Sequence, residues 1–205
     1  MLYFETQIII HSNNMINIAI FASGSGTNAE NIARYFSDSK EIGVKCMLAN
    51  RKNAGVFERA NRLEIPSYYF CNAELNFCNP VLDYLKNHQI DYIILAGFLA
   101  MIPPKMIAAF PNRILNIHPA LLPSHGGKGM YGDHVHKVVI ENGETQSGIS
   151  VHYVNEKYDE GKLILQAYCP VFAEDTVDLL ANRIHKLEYR YYPQAIEQVI
   201  LDYID

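Results

Sequence analysis

The chain has 205 residues, 49% of them hydrophobic and 19% charged, with a formal net charge of −5. That composition excludes a disordered chain, and the length suits one domain with a full core. No apolar run is long enough to span a bilayer, and Lys and Arg are scattered in ones and twos, so neither a membrane partner nor a nucleic-acid partner is expected.

Residues 1–14 read as an N-terminal extension. Gln7-Ile8-Ile9-Ile10 is too short an apolar segment for a signal peptide, and no basic region or small-residue cleavage site accompanies it. A single domain is expected over 15–205. Ile16 to Ala22 reads as a strand, followed by the turn Ser23-Gly24-Ser25-Gly26-Thr27-Asn28 and a helix with Ala29, Ile32, Ala33 and Phe36 on one face. Val44 to Ala49 is a second strand, Val56, Ala60 and Leu63 mark a short helix, and Ser67 to Phe70 is a weaker strand. Asn79-Pro80 supplies an N-cap and a first-turn proline for a helix that turns Val81, Leu82 and Leu85 inward. Asp91 to Ala96 is a buried strand, Pro103-Pro104 opens another helix, and Arg113 to Ile117 returns as a strand.

Past His125 the pattern changes. Gly126 to Gly132 is glycine-rich enough to be mobile, and His134 to Ile140 resumes as a helix. Ser147 to Val154 and Leu163 to Val171 are strands too close for a helical crossover, so they should pair antiparallel. A long helix closes the chain, capped by Asp175-Thr176, striped by Leu180, Ile184 and Leu187, and kinked or restarted at Pro193. The succession predicts an α/β fold: a doubly wound, mostly parallel sheet with a C-terminal antiparallel extension and a long terminal helix.

In such a sheet ligands gather beyond the carboxyl ends of the strands. Alternation puts Asn116 and His118 on one face there, and Pro119 ends regular pairing. An amide that can donate to a developing oxyanion beside an imidazole that can carry a proton suits acyl-type transfer, although His118 alone reads equally as a hydrogen-bonded structural histidine. Gly24 and Gly26 let backbone amides approach an anion at a helix N-terminus, or form a plain tight turn. Gly97 to Ile102 suits either a core helix or a flat aromatic ligand. Asp159 sits in the turn between the two late strands, where Asp is common. His134 and His136 alternate without a third ligand and read as surface histidines, so no metal is expected. The cysteines Cys46, Cys71, Cys78 and Cys169 lack CxxC spacing and are too sparse for a disulfide scaffold, which suits a reducing, cytoplasmic setting.

Taken together, Ser23 to Asn28, Ala96-Gly97-Phe98, Asn116-Ile117-His118-Pro119 with Leu121-Leu122-Pro123, Ser150-Val151-His152, Asp159-Glu160-Gly161 and Gln166 resemble the folate-dependent glycinamide ribonucleotide formyltransferases of purine synthesis. The resemblance runs from Met15 almost to the C-terminus. It implies the formyltransferase fold with a Rossmann-like N-terminal half, and transfer of the formyl group of 10-formyltetrahydrofolate, a co-substrate, to the amine of 5'-phosphoribosylglycinamide. Asn116, His118 and Asp159 would be catalytic: Asn116 and a protonated His118 meet the oxyanion, and Asp159 keeps His118 charged. Gly26, Thr27, Asn28 and Glu188 would hold the ribonucleotide. Leu99, Ala100, Met101, Ile102 and Asn116 would meet the folate, with Asn155, Glu156, Lys157, Tyr158 and Asp159 closing over it and His152 in support. Family members commonly carry Arg at the position of Ala100 and another Arg within the segment 71–77. This chain has neither, so backbone contacts would hold the pterin and the folate tail would be gripped differently. The resemblance implies small-molecule substrates and leaves a homodimer open. The related methionyl-tRNA formyltransferases need a further tRNA-binding domain, and formyltetrahydrofolate hydrolases an N-terminal regulatory module, so both fit less well.

Overall fold

The computed structural model describes residues 15–204, so the expected extension at 1–14 lies outside the described residues. Five strands, β1 (Ile16–Phe21), β2 (Ile42–Ala49), β3 (Ser67–Tyr69), β4 (Tyr92–Leu95) and β5 (Ile114–His118), run parallel, and β6 (Gln146–Tyr153) and β7 (Leu163–Pro170) extend the sheet antiparallel. The order is β3-β2-β1-β4-β5-β6-β7. The chain winds one way from β1 to β3 and the other way from β4 onward, which opens a crevice beyond the carboxyl ends of β1 and β4.

Alternation along each strand divides the core into two layers. Ile18, Ile20, Met47, Ile94, Leu115 and Ile117 pack on one face with α1 (Thr27–Tyr35), α2 (Val56–Arg62) and α7 (Val177–Ile204). Ala19, Phe21, Leu48, Ile93, Leu95 and Ile114 pack on the other with α4 (Asn79–Asn87) and α5 (Pro104–Ala109). Each fully buried Ile, Leu or Phe contributes about 1.5–3 kcal/mol, so the stacked strand ends behind the crevice are a rigid wall. The fully buried Tyr192 of α7 ties down that wall, because its hydroxyl lies 2.9 Å from the Leu95 carbonyl and 3.2 Å from that of Leu115.

At four places the structure differs from the sequence expectations, adds to them or decides between them. Asn79 is the first residue of α4 and Cys78 occupies the cap position, ahead of the predicted proline turn. A helix absent from the sequence reading, α3 (Asn72–Phe77), precedes it; its capping box uses Cys71 and Glu74, and Cys is an uncommon cap residue. Residues 97–103 form no helix and run as open backbone along the crevice. Finally, of the kink or restart expected at Pro193, the restart does not occur, since α7 continues through it. Proline removes the hydrogen bond to the carbonyl four residues back, which is that of Tyr189, and Asn31 Nδ2 donates to that carbonyl instead at 2.8 Å.

Candidate active site

The crevice holds a cavity of about 570 Å³, walled by the turn after β1, the ends of β4 and β5, the glycine-rich loop and one face of α7. A smaller cavity of about 80 Å³ lies between residues 98–102 and 154–159. Phe98, Leu99, Asn116, Tyr158 and Asp159 line both, so Asn116 and Asp159 stand at the seam between them.

Antiparallel pairing explains how the polar groups meet. Asn116 on β5 lies opposite His152 on β6, and cross-strand partners share a face. Asn116 Nδ2 is 3.0 Å from His152 Nε2, while His152 Nδ1 is 2.8 Å from the Tyr153 carbonyl. The carbonyl requires Nδ1 to carry hydrogen, which leaves Nε2 of the neutral ring to accept from the Asn116 amide and fix its orientation. His118, two residues on, is 3% exposed. Its Nε2 donates to the His125 carbonyl at 2.7 Å, so Nδ1, which is 3.6 Å from Asp159 Oδ2, is the atom free to take or give a proton. Asp159 Oδ1 lies 3.6 Å from His152 Nε2, and Gly127 N–H donates to Oδ2 at 2.9 Å.

Burial lowers the His118 pKa, and the opposing charge of Asp159 and the bond to His125 recover only part of it. The expectation that Asp159 keeps His118 charged is therefore corrected: the carboxylate favours the charged ring, but desolvation wins. Burial pushes the Asp159 carboxyl up, yet His152, the charge of His118 and the Gly127 amide together outweigh it, and the group is held below the usual carboxylate range. Asp159 thus faces the imidazole as an anion.

On the other side of the larger cavity, Gly26 has φ 77° and caps α1, so the first amides of that nine-residue helix open onto the cavity beside Thr27 and Asn28. Asn28 Nδ2 donates to Glu188 Oε2 at 2.9 Å. Burial raises the Glu188 pKa against the bond from Asn28 and the charge of His185.

All four residues expected to hold the ribonucleotide line the larger cavity. Of those expected around the folate, Leu99 to Ile102, Asn116, Asn155 and Lys157 to Asp159 line the smaller one, whereas Glu156 is exposed and lines neither. The structure adds what the sequence reading missed. The glycine-rich loop, expected to be mobile, bonds to Asp159 through Gly127 and contributes Lys128, Met130 and Tyr131 to the cavity wall. His136, expected at the surface, is 2% exposed on α6 (Asp133–Glu141) and faces the same cavity; burial pushes its pKa down to about 4. The helical stripe of Val135 and Val139 flanking it was the available signal. His185 joins Glu188 one turn apart on α7. Among the described residues no group of three or more His, Cys, Asp or Glu side chains is arranged to hold a metal ion, and no helix is long and apolar enough to cross a membrane.

The arrangement is equipped to hold an anion at one end, stabilise negative charge on a carbonyl oxygen in the middle, and admit a flat apolar group at the other end. Comparison with known proteins places the chain in a family. The formyl transferase family matches residues 16–196. A phosphoribosylglycinamide formyltransferase of Bacillus subtilis is 33% identical over 191 residues, 91% of this chain and 95% of the relative. The chloroplastic enzyme of that name from Arabidopsis thaliana is 39% identical over 91% of this chain, which spans only 66% of it; the share is 59% for the Vigna unguiculata relative. The solved phosphoribosylglycinamide formyltransferase of Streptococcus pneumoniae superposes with a TM-score of 0.80 at 35% identity, covering 90% of this chain and 99% of that one.

Proposed function

The chain belongs to the formyl transferase family, and from that premise we propose that it transfers the formyl group of 10-formyltetrahydrofolate to the glycinamide amine of 5'-phosphoribosylglycinamide, giving formylglycinamide ribonucleotide in purine synthesis. The observation that carries the proposal is the seam. Asn116 and Asp159 border both cavities, with His118 Nδ1 3.6 Å from Asp159, so an amine held on one side and a formyl donor held on the other would meet at these three side chains.

The phosphate would rest on the amides of Gly26, Thr27 and Asn28, where the helix N-terminus favours negative charge. Glu188 would accept from hydroxyls of the ribonucleotide. The smaller cavity fits a folate ring in kind, since its wall combines the apolar side chains of Leu99, Met101 and Ile102 with the open backbone of 97–103. When bound, the folate supplies an activated formyl carbon. As the amine bonds to that carbon, Asn116 Nδ2 and protonated His118 Nδ1 would stabilise the charge that develops on the formyl oxygen, and anionic Asp159 would order a water that relays the amine proton to the folate nitrogen as its bond to the formyl carbon breaks. The carboxylate of Asp159, held below its usual range, stays ionised, and its charge favours the protonated His118 ring against the burial that lowers the ring's pKa. No metal is needed for these steps. We further propose a cytoplasmic setting, a single domain over 15–205 and a dispensable extension at 1–14.

The test is steady-state transfer by the purified protein with both substrates, following release of the deformylated folate. Turnover that requires the ribonucleotide supports the proposal. Folate consumption independent of any amine would show a hydrolase instead.

A further inference from the structure

We infer that Arg59, which lies on α2 outside both cavities, is a positioning residue for the phosphate of the ribonucleotide. The inference rests on the function proposed above. The turn that would receive the phosphate is fixed through its carbonyl groups. The Gly24 carbonyl accepts from Val56 N–H at 3.3 Å, that of Gly26 accepts from Glu30 N–H at 2.9 Å, and that of Ser25 accepts from Arg59 Nε at 2.7 Å. Of the three, only the Ser25 bond depends on a side chain. A trans peptide is planar, with C=O and N–H pointing in opposite directions. Holding the Ser25 carbonyl against α2 therefore aims the Gly26 N–H away from α2, toward the side where the cavity lies. The backing is close as well as bonded. A Cβ at Gly26 would come within 2.6 Å of Val56 Cβ, and one at Gly55 within 3.0 Å of the Ser25 carbonyl oxygen, so α2 is packed directly behind the turn.

Arg59 also solves a charge problem. Glu30 lies in the first turn of α1, where its carboxylate competes with a phosphate for the same helix terminus. Its bonds to Arg34 and Arg59, with Arg62 also in contact, hold its pKa at about 2, so it is ionised at any working pH. Three guanidinium groups against one carboxylate leave a net charge of +2 beside the turn. Arg59 serves both purposes through its rigid fork, Nε to Ser25 and Nη1 to Glu30, which an ammonium group cannot span.

The test compares kcat and both KM values in Arg59→Met, Arg59→Lys and the double variant Arg59→Met/Glu30→Gln, with thermal melts to confirm folding. Arg59→Met should raise the ribonucleotide KM roughly tenfold, with the folate KM and kcat within about twofold, because the chemistry lies at another strand end. Arg59→Lys keeps the charge and loses the fork, so its ribonucleotide KM should rise too; it carries the test if the Met variant does not fold. The double variant restores the net charge of +2, since Arg34 and Arg62 then face no carboxylate, but not the bond to Ser25. Its ribonucleotide KM should stay raised. A wild-type KM in the double variant or in Arg59→Lys would overturn the inference, as would parallel losses in kcat and both KM values. Wild-type protein that does not turn over the ribonucleotide would instead sink the functional reading on which the inference rests.

Discussion

Replacing Gly26 should damage the fold before it damages binding. From the sequence alone, a side chain here reads as an obstruction to the phosphate, whereas in the structure the added Cβ meets Val56, 2.6 Å from its Cβ and 2.7 Å from its Cα. At φ 77° an Ala costs about 1–2 kcal/mol in backbone strain. Overpacking against α2 adds about 1–3 kcal/mol. The total of about 2–5 kcal/mol corresponds, at about 2–4 °C per kcal/mol for a domain of this size, to a melting temperature lower by roughly 4–20 °C. Gly24 is the contrasting case. It lines the cavity, and a Cβ there meets nothing within 4 Å. Gly24→Val should stay within about 0.5 kcal/mol of wild-type stability. It should raise the ribonucleotide KM roughly tenfold and spare the folate KM. Differential scanning fluorimetry and steady-state kinetics on the two variants separate the effects. A Gly26→Ala protein that melts with the wild type while its ribonucleotide KM rises would refute the packing argument and restore the simpler reading.

His118→Ala and Asp159→Asn should each reduce kcat by roughly 10²-fold or more with both substrates still bound by calorimetry; full turnover in either would remove that residue from the mechanism. In Asp159→Asn the burial that lowers the His118 pKa is no longer opposed by the carboxylate, so the protonated ring is lost earlier and the alkaline limb of residual kcat should move to lower pH. An unmoved limb would show that the two groups are not coupled. His136 is held neutral with a pKa near 4 against an ordinary 6.5, so the unfolded chain binds more protons between those values and stability should fall as pH drops from about 6.5 to about 4. Denaturant titrations of His136→Leu across that range should show a flatter dependence, and an unchanged slope would point to other groups. A chain starting at Met15 should fold and turn over normally; loss of soluble protein would show that residues 1–14 pack on the domain.

Hydrophobic pattern placed the strands of the described residues: β1 and β4, buried on both faces, carry continuous apolar runs bounded by turn residues. Asn116 and His118 were legible for the same reason: a strand end with period-two polarity has a crevice beyond it. What the sequence hid depends on contacts distant in the chain. The glycine-rich loop looks mobile in isolation, and only the bond from Gly127 to Asp159, thirty-two residues away, shows that it is placed. Pro193 reads as a kink or a restart because nothing nearby could satisfy the Tyr189 carbonyl, yet Asn31 does so from across the fold. His118 beside a carboxylate suggests a raised pKa, and the burial that reverses the sign becomes visible only when the strands are packed. Arg59 gave no sequence signal at all, since a single arginine on an amphipathic helix is ordinary.

The most direct measurement of the central claim is a side-by-side transfer assay with 10-formyltetrahydrofolate, in which wild type and His118→Ala are each given 5'-phosphoribosylglycinamide or methionyl-tRNA and the products are identified by mass. Formylated ribonucleotide is expected from the wild type, at least roughly 10²-fold less from His118→Ala, and no formylated tRNA from either. Formylation of the tRNA, or undiminished transfer by the His118 variant, would contradict the claim.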